Sequence, residues 1–280
     1  MSSDFDPSSL TGDDLAEALE TLESGGPLVH SITNEVTMND VANLILHWDA
    51  LPVMADSDGD AGEMASIADA VLFNTGQVPE RRVDAMHDAA ESAAESGVPI
   101  VLDPVGVGST PTRQAVAEDL LEDTNFAIIK GNYGEISALA GVEAEVKGVE
   151  SVGEYDNIEE TARSLAESTG SVVVASGVED VVATGDTVVR ITAGDEMLST
   201  VVGTGCMLGG TIAAFRGALE DDAAAAVYGT LAFGIAGERA AETDYAGPAS
   251  YRTAFHDTVA ALSAGDLESV DLEGRLEFIE

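Results

Sequence analysis

The sequence predicts an α/β protein built on one largely parallel sheet with helices on both faces. Three observations predict it. Short runs rich in Val, Ile and Leu alternate with longer segments of helical period. These runs are apolar throughout, as strands buried on both faces are. Polar residues and glycines gather where the runs end, and open α/β sheets bind ligands beyond the carboxyl ends of their strands.

Residues 1–11 read as a flexible acidic lead-in and 12–280 as a single domain, with no internal repeat or linker. Leu15, Leu19 and Leu22 share one side of a helix over 13–22. A strand over 27–32 runs into a polar stretch over 33–40, and a helix follows at 41–47. The run 51–55 reads as a second buried strand. A short helix over 63–67 and a strand over 70–76 follow, and a helix over 80–96 is closed by Gly97. A strand at 98–103 leads into the glycine-rich loop 104–111 and a helix at 112–121. The next strand spans 126–131, before a helix over 133–140 ended by Gly141. A helix over 158–168 precedes a strand over 171–177. Residues 180–184 and 187–192 form a hairpin turning at Gly185 and Asp186, which adds antiparallel strands late in the sheet. Helices over 206–219, 222–242 and 251–263 complete the pattern.

Composition narrows the function classes. Fifty-two acidic residues against 11 basic ones give a net charge of −41. The excess is dispersed along the chain and lysine is confined to Lys130 and Lys147, the pattern of adaptation to high salt, where mobile cations screen self-repulsion. An apolar fraction of 45% excludes an acidic disordered chain. Phosphate backbones would be repelled, so nucleic acid is not an expected partner. The uncharged run 223–237 is short for a membrane span and reads as a buried helix. One cysteine and a polar N-terminus without a signal-peptide pattern point to a cytoplasmic setting.

The stretch Val202-Gly203-Thr204-Gly205-Cys206 carries the clearest chemistry. It reads as a glycine turn opening a buried helix, whose unpaired N–H groups of Gly203, Thr204 and Gly205 make an anion site suited to phosphate. Cys206 is either a small buried hydrophobe or a thiol whose pKa the helix N-terminus lowers. Asn34, Met54, Asn74, Asp103, Lys130 and Ser176 all fall at strand ends, which a parallel sheet gathers on one rim. Asn132 and Glu135 have the spacing of a capping box, and Glu135 is equally placed to sit near a phosphate-bound Mg²⁺. Asp103, ahead of the glycine-rich loop, offers a second carboxylate. Lys130, in a chain that avoids lysine, offers a cation to a nucleotide phosphate.

Taken in order, Pro27-Leu28-Val29-His30-Ser31-Ile32-Thr33-Asn34, Pro52-Val53-Met54-Ala55, Leu102-Asp103-Pro104-Val105-Gly106-Val107-Gly108-Ser109-Thr110, Lys130-Gly131-Asn132-Tyr133-Gly134-Glu135-Ile136, Lys147-Gly148-Val149, Val202-Gly203-Thr204-Gly205-Cys206-Met207-Leu208 and Gly247-Pro248 resemble the hydroxyethylthiazole kinase family of thiamine salvage, within the ribokinase-like superfamily. The likeness spans about residues 27–255. It implies a ribokinase-like fold, ATP- and Mg²⁺-dependent phosphorylation of the alcohol of 4-methyl-5-(2-hydroxyethyl)thiazole, and a homotrimer with sites between subunits. It further implies that Met54 and Gly203 contact the thiazole with Asn34 close by. Lys130 and Ser176 then contact ATP, Asp103 and Glu135 lie near metal and phosphates, and Cys206 stands where related sugar kinases carry an aspartate base. The family usually has Arg at the position of Lys130 and commonly Thr at that of Ser176. Another ribokinase-like small-alcohol kinase, for instance of a pyrimidine, and a non-catalytic thiazole or nucleotide sensor are the alternative readings.

Overall fold

The computed structural model describes residues 10–57, 59–142, 146–147, 150–151 and 157–279. The first nine residues of the acidic lead-in, and Gly148 and Val149 of the Lys147 motif, lie outside the described residues. In chain order the elements are α1 (Gly12–Gly25), β1 (Leu28–Ile32), α2 (Met38–His47), β2 (Leu51–Val53), α3 (Asp60–Ala65), β3 (Ala70–Asn74), α4 (Glu80–Ser96), β4 (Ile100–Asp103), α5 (Pro111–Asp123), β5 (Ile128–Asn132), α6 (Tyr133–Leu139), β6 (Val146–Lys147), β7 (Glu150–Ser151), α7 (Ile158–Thr169), β8 (Val172–Ser176), β9 (Asp180–Ala183), β10 (Val188–Ile191), α8 (Thr204–Ala218), α9 (Asp222–Ala241), α10 (Pro248–Ala261), α11 (Ala264–Glu268) and β11 (Leu276–Ile279).

Nine strands form one sheet in the order β11-β10-β9-β8-β5-β4-β3-β1-β2, and β6 pairs with β7 apart from it. From β2 to β8 every pairing is parallel, and from β8 outward to β11 every pairing is antiparallel. The predicted α/β sheet and its late hairpin are therefore present. Alternation along each strand splits the core in two, because successive side chains point to opposite faces. Leu72, Val101, Ile128 and Val174 pack with α1, α2, α8, α9 and α10. Val71, Phe73, Leu102, Ile129 and Val173 pack with α3, α4, α6 and α7. Every residue of β3 is buried, as its unbroken apolar run requires.

One expectation changes. The strand at 51–55 is not buried: β2 is a three-residue edge strand paired to β1 alone, and Leu51 is 53% exposed. Pro52 has no N–H to donate, which suits an edge. The structure also adds β11, too short and too mixed to announce itself in the sequence, which covers β10 in antiparallel register.

The sheet places α8 where it matters. Cys206 to Phe215 are buried without a break, and Gly210 allows Val41 and Ile45 of α2 to close on the helix. Trp48 anchors the same face, its indole N–H donating to Thr211 Oγ1 at 2.8 Å. The next helix, α9, is buried from Ala223 to Gly237. Among the described residues no helix is long and apolar enough to cross a membrane.

Candidate active site

The site begins with Gly203. It caps α8 with φ +96, a left-handed conformation that L side chains avoid, and a Cβ there would lie 2.6 Å from Thr37 Cγ2. Glycine is thus required twice, by conformation and by space. The turn delivers the first N–H groups of α8 without carbonyl partners and concentrates the positive end of the helix dipole there. Lys130 adds a full charge. A Cβ on Gly205 would be 3.2 Å from Lys130 Nζ, so the ammonium lies against the same turn.

Under that turn runs a chain of buried polar side chains, from the ends of β1, β3 and β4 and the middle of β5. Asn34, beyond β1, accepts from the N–H groups of Val36 (3.0 Å) and Thr37 (3.1 Å), which fixes the loop into α2. Its Nδ2 lies 2.9 Å from Thr37 Oγ1, 2.9 Å from Asn74 Oδ1 and 3.5 Å from Cys206 Sγ. At the end of β3, Asn74 donates to Asp103 Oδ2 at 2.6 Å. At the end of β4, Asp103 faces Lys130 Nζ of β5 at 3.4 Å. Asp103 and Asn74 are fully buried and Lys130 is 2% exposed. Burial is tolerated because each group has partners, and removing one would strand the others at a cost of about 3–5 kcal/mol.

Glu135 stands one step away. One carboxylate oxygen accepts from the Asn132 N–H at 2.8 Å while Asn132 Oδ1 accepts from the Glu135 N–H at 2.9 Å, completing the capping box of α6. The other oxygen accepts from the Gly106 N–H at 2.7 Å and so ties the glycine-rich loop to the site.

The electrostatics follow from two carboxylates sharing one ammonium in a dry place. Burial pushes Glu135 up to about 7, helped by Asp103 and opposed by Lys130 and the two N–H donors. Burial likewise raises Asp103, against the pull of Lys130, Asn74 and Cys206. Burial alone would lower Lys130, but Asp103 and Glu135 hold it above its usual value. Cys206 corrects one expectation. Its thiol pKa is raised, first by burial and then by the charge of Asp103, which together outweigh Lys130. Being at a helix start does not make it a thiolate.

Asn34, Asp103, Lys130, Gly205 and Cys206 therefore converge, with Gly203 against Thr37. Thr204 turns its hydroxyl to the carbonyls of Leu198 (3.0 Å) and Val201 (3.2 Å). Ser176 lies opposite Asn132 in the register of β5 and β8, its hydroxyl donating to Gly131 O at 3.3 Å. Met54, just past β2, is half-buried at the other side of the rim. The structure adds Thr37 to the site and gives Asn74, expected only as a polar strand end, its place between Asn34 and Asp103. Asn74 carried a signal as a polar strand end; Thr37 carried none, because its role depends on the packing of α2 against α8.

The profile of the hydroxyethylthiazole kinase family matches residues 19–265. A hydroxyethylthiazole kinase of Haloquadratum walsbyi is 51% identical over 92% of this chain and 91% of its own. The solved structure of a hydroxyethylthiazole kinase from Pyrococcus horikoshii superposes with a TM-score of 0.85 at 34% identity, over 95% of this chain and 99% of that one. A ribokinase-like superfamily protein of Enterococcus faecalis shares the fold at a TM-score of 0.64 and 13% identity, over 91% of this chain and 96% of that one.

Proposed function

This chain belongs to the hydroxyethylthiazole kinase family, and from that premise we propose how its own residues carry a phosphoryl group from ATP to the primary alcohol of 4-methyl-5-(2-hydroxyethyl)thiazole. The reaction is that of a transferase in thiamine salvage. The observation that carries the residue assignment is the buried chain from Asn34 through Asn74 and Asp103 to Lys130, meeting Cys206 at the first turn of α8.

The thiazole lies toward β1 and β2, against Met54 and Gly203, with Asn34 holding the loop that closes on it. ATP lies toward β5 and β8, with Lys130 and Ser176 at its phosphates and ribose side. The N–H groups of Gly203, Thr204 and Gly205 face the phosphoryl group between them, so transfer rests on positioning and on a fixed electrostatic field. The alcohol oxygen bonds to the γ-phosphorus as the bond to ADP breaks, and the alcohol proton passes late to an oxygen of the transferred phosphoryl group and from there to water. Cys206, kept as a thiol, positions that oxygen; a loose transition state needs little early deprotonation.

The donor chemistry fits a hydrated Mg²⁺ brought in with the nucleotide. Both oxygens of Glu135 and both of Asp103 already accept hydrogen bonds, and among the described residues no cluster of three or more His, Cys, Asp or Glu could cage a metal. Asp103 and Glu135 would hold such an ion through its waters, and the ion would supply charge neutralisation to the nucleotide phosphates.

The one nine-stranded sheet supports reading 12–280 as one catalytic unit. A homotrimer with sites between subunits is supported by exposed apolar residues beside the site: Val36, two residues after Asn34, is 66% exposed, and Val202, next to Gly203, is 76% exposed. The charge pattern supports work at high salt, and the single cysteine supports a cytoplasmic setting. The test is ADP release at molar KCl with the thiazole alcohol against a pyrimidine alcohol. Selective turnover of the thiazole is expected; turnover of the pyrimidine alone, or of neither, refutes the assignment.

A further inference from the structure

Arg113 is not part of the hydrogen-bonded site described above, and its position is costly. It is the third residue of α5, whose first turn holds no acidic residue, so a cation sits where the helix dipole favours an anion. In a chain of net charge −41 it nevertheless has no carboxylate within ion-pair distance among the described residues. Arg163 is alike in this, but it is committed to the Ile279 carbonyl on the far, antiparallel side of the sheet.

The guanidinium of Arg113 reaches back over the strand ends. Nη2 donates to Gly76 O at 2.9 Å, just beyond β3. Nη1 rests on the bare backbone of Gly106, beyond β4, where a Cβ would meet it at 2.0 Å. Gly76 in turn packs on Asn34, whose amide meets Cys206, and the Gly106 N–H is the one bound by Glu135. In the strand order, β3 and β4 lie between the Met54 and Asn34 side and the Lys130 and Ser176 side. Arg113 thus projects over the middle of the rim, half-buried, with guanidinium capacity left over after one carbonyl contact.

We propose that Arg113 binds the phosphoryl group in transit, contacting the γ-phosphate before transfer and the phosphate ester of the product after it. The proposal rests on the kinase assignment above and adds an anion-binding residue to it. An unpaired guanidinium in an acidic chain is a site reserved for an anion that arrives with substrate, and its planar fork suits phosphate oxygens. The bond changes are those of the transfer itself; Arg113 gives and takes no proton.

The alternative is that Arg113 is a strut for the loops at Gly76 and Gly106. Calorimetric titration separates the two, with the thiazole alcohol and its phosphate ester added in turn to the wild type, Arg113→Gln and Arg113→Lys. For Arg113→Gln the phosphate ester should lose about 10- to 100-fold in affinity, the range of a charge-assisted contact. Affinity for the alcohol should stay within about twofold. Arg113→Lys should recover part of the loss, and kcat should fall in Arg113→Gln while KM for the alcohol holds. Parallel loss of both ligands assigns the strut and overturns the proposal, as does unchanged affinity for both. A wild type that binds neither ligand overturns the thiazole assignment and this proposal together.

Discussion

At the scale of single residues, Cys206 shows how environment overrides type and position. A thiol at a helix start is disposed toward thiolate, yet this one is 8% exposed and shares its surroundings with Asp103. A thiol that stays protonated is a poor general base. Cys206→Ser is accordingly expected to keep turnover within about tenfold of wild type, since a general base would be worth some hundredfold or more. Steady-state ADP release checks it, and a loss beyond a thousandfold would make the thiol essential. Lys130 is the opposite case. Its rarity marked it in the sequence, but whether it was solvated or buried depended on Asp103, far away in sequence and 3.4 Å away in space. Lys130→Met should leave Asp103 buried without its cation and lower stability by about 3–5 kcal/mol as well as abolishing activity. Urea unfolding monitored by far-ultraviolet circular dichroism measures the first part independently of the second.

Among the elements, α8 and α6 bring the chemistry to the rim by different devices. The start of α8 depends on a glycine in a left-handed turn, and Gly203→Ala combines backbone strain with a clash on Thr37. A cost of about 1–3 kcal/mol is expected, with a rise in KM for the thiazole as the turn and the Asn34 loop are pushed apart. Thermal melts and kinetics on the same sample test both halves, and an unchanged KM would separate the turn from substrate binding. The start of α6 uses a capping box, worth about 1 kcal/mol. Here the sequence left two readings of Glu135 side by side. The box is formed, and Glu135 also reaches Gly106, 29 residues away in sequence, which no local pattern announced. That one carboxylate holds both a helix and the glycine-rich loop, so Glu135→Gln should loosen the loop even where the cap survives. Faster hydrogen exchange at the Gly106 amide would register it.

For the whole molecule, charge is the dominant variable. The acidic excess repels itself in dilute buffer, and only scattered clusters offset it, such as Arg190 among Glu159, Glu179 and Glu277. The screening length shrinks to about 3 Å at 1 M salt. Raising KCl from 0.1 M to 2 M is expected to add a few kcal/mol of stability, about 10 °C in Tm. Scanning calorimetry across that series checks the sign, and a flat or falling Tm would remove the case for high-salt adaptation. The sequence by itself determined the sheet class, the strand ends that bear chemistry, the glycine turn before Cys206 and the family, because apolar runs, turn residues and ordered motifs are local properties of a chain. It did not determine that β2 is an edge, that Asn74 links Asn34 to Asp103, that Thr37 joins the site, that Cys206 is held as a thiol, or that Arg113 of α5 reaches Gly76 and Gly106. Those depend on strand order and burial, which bring together residues far apart in the chain and set the dielectric and charge that each one meets.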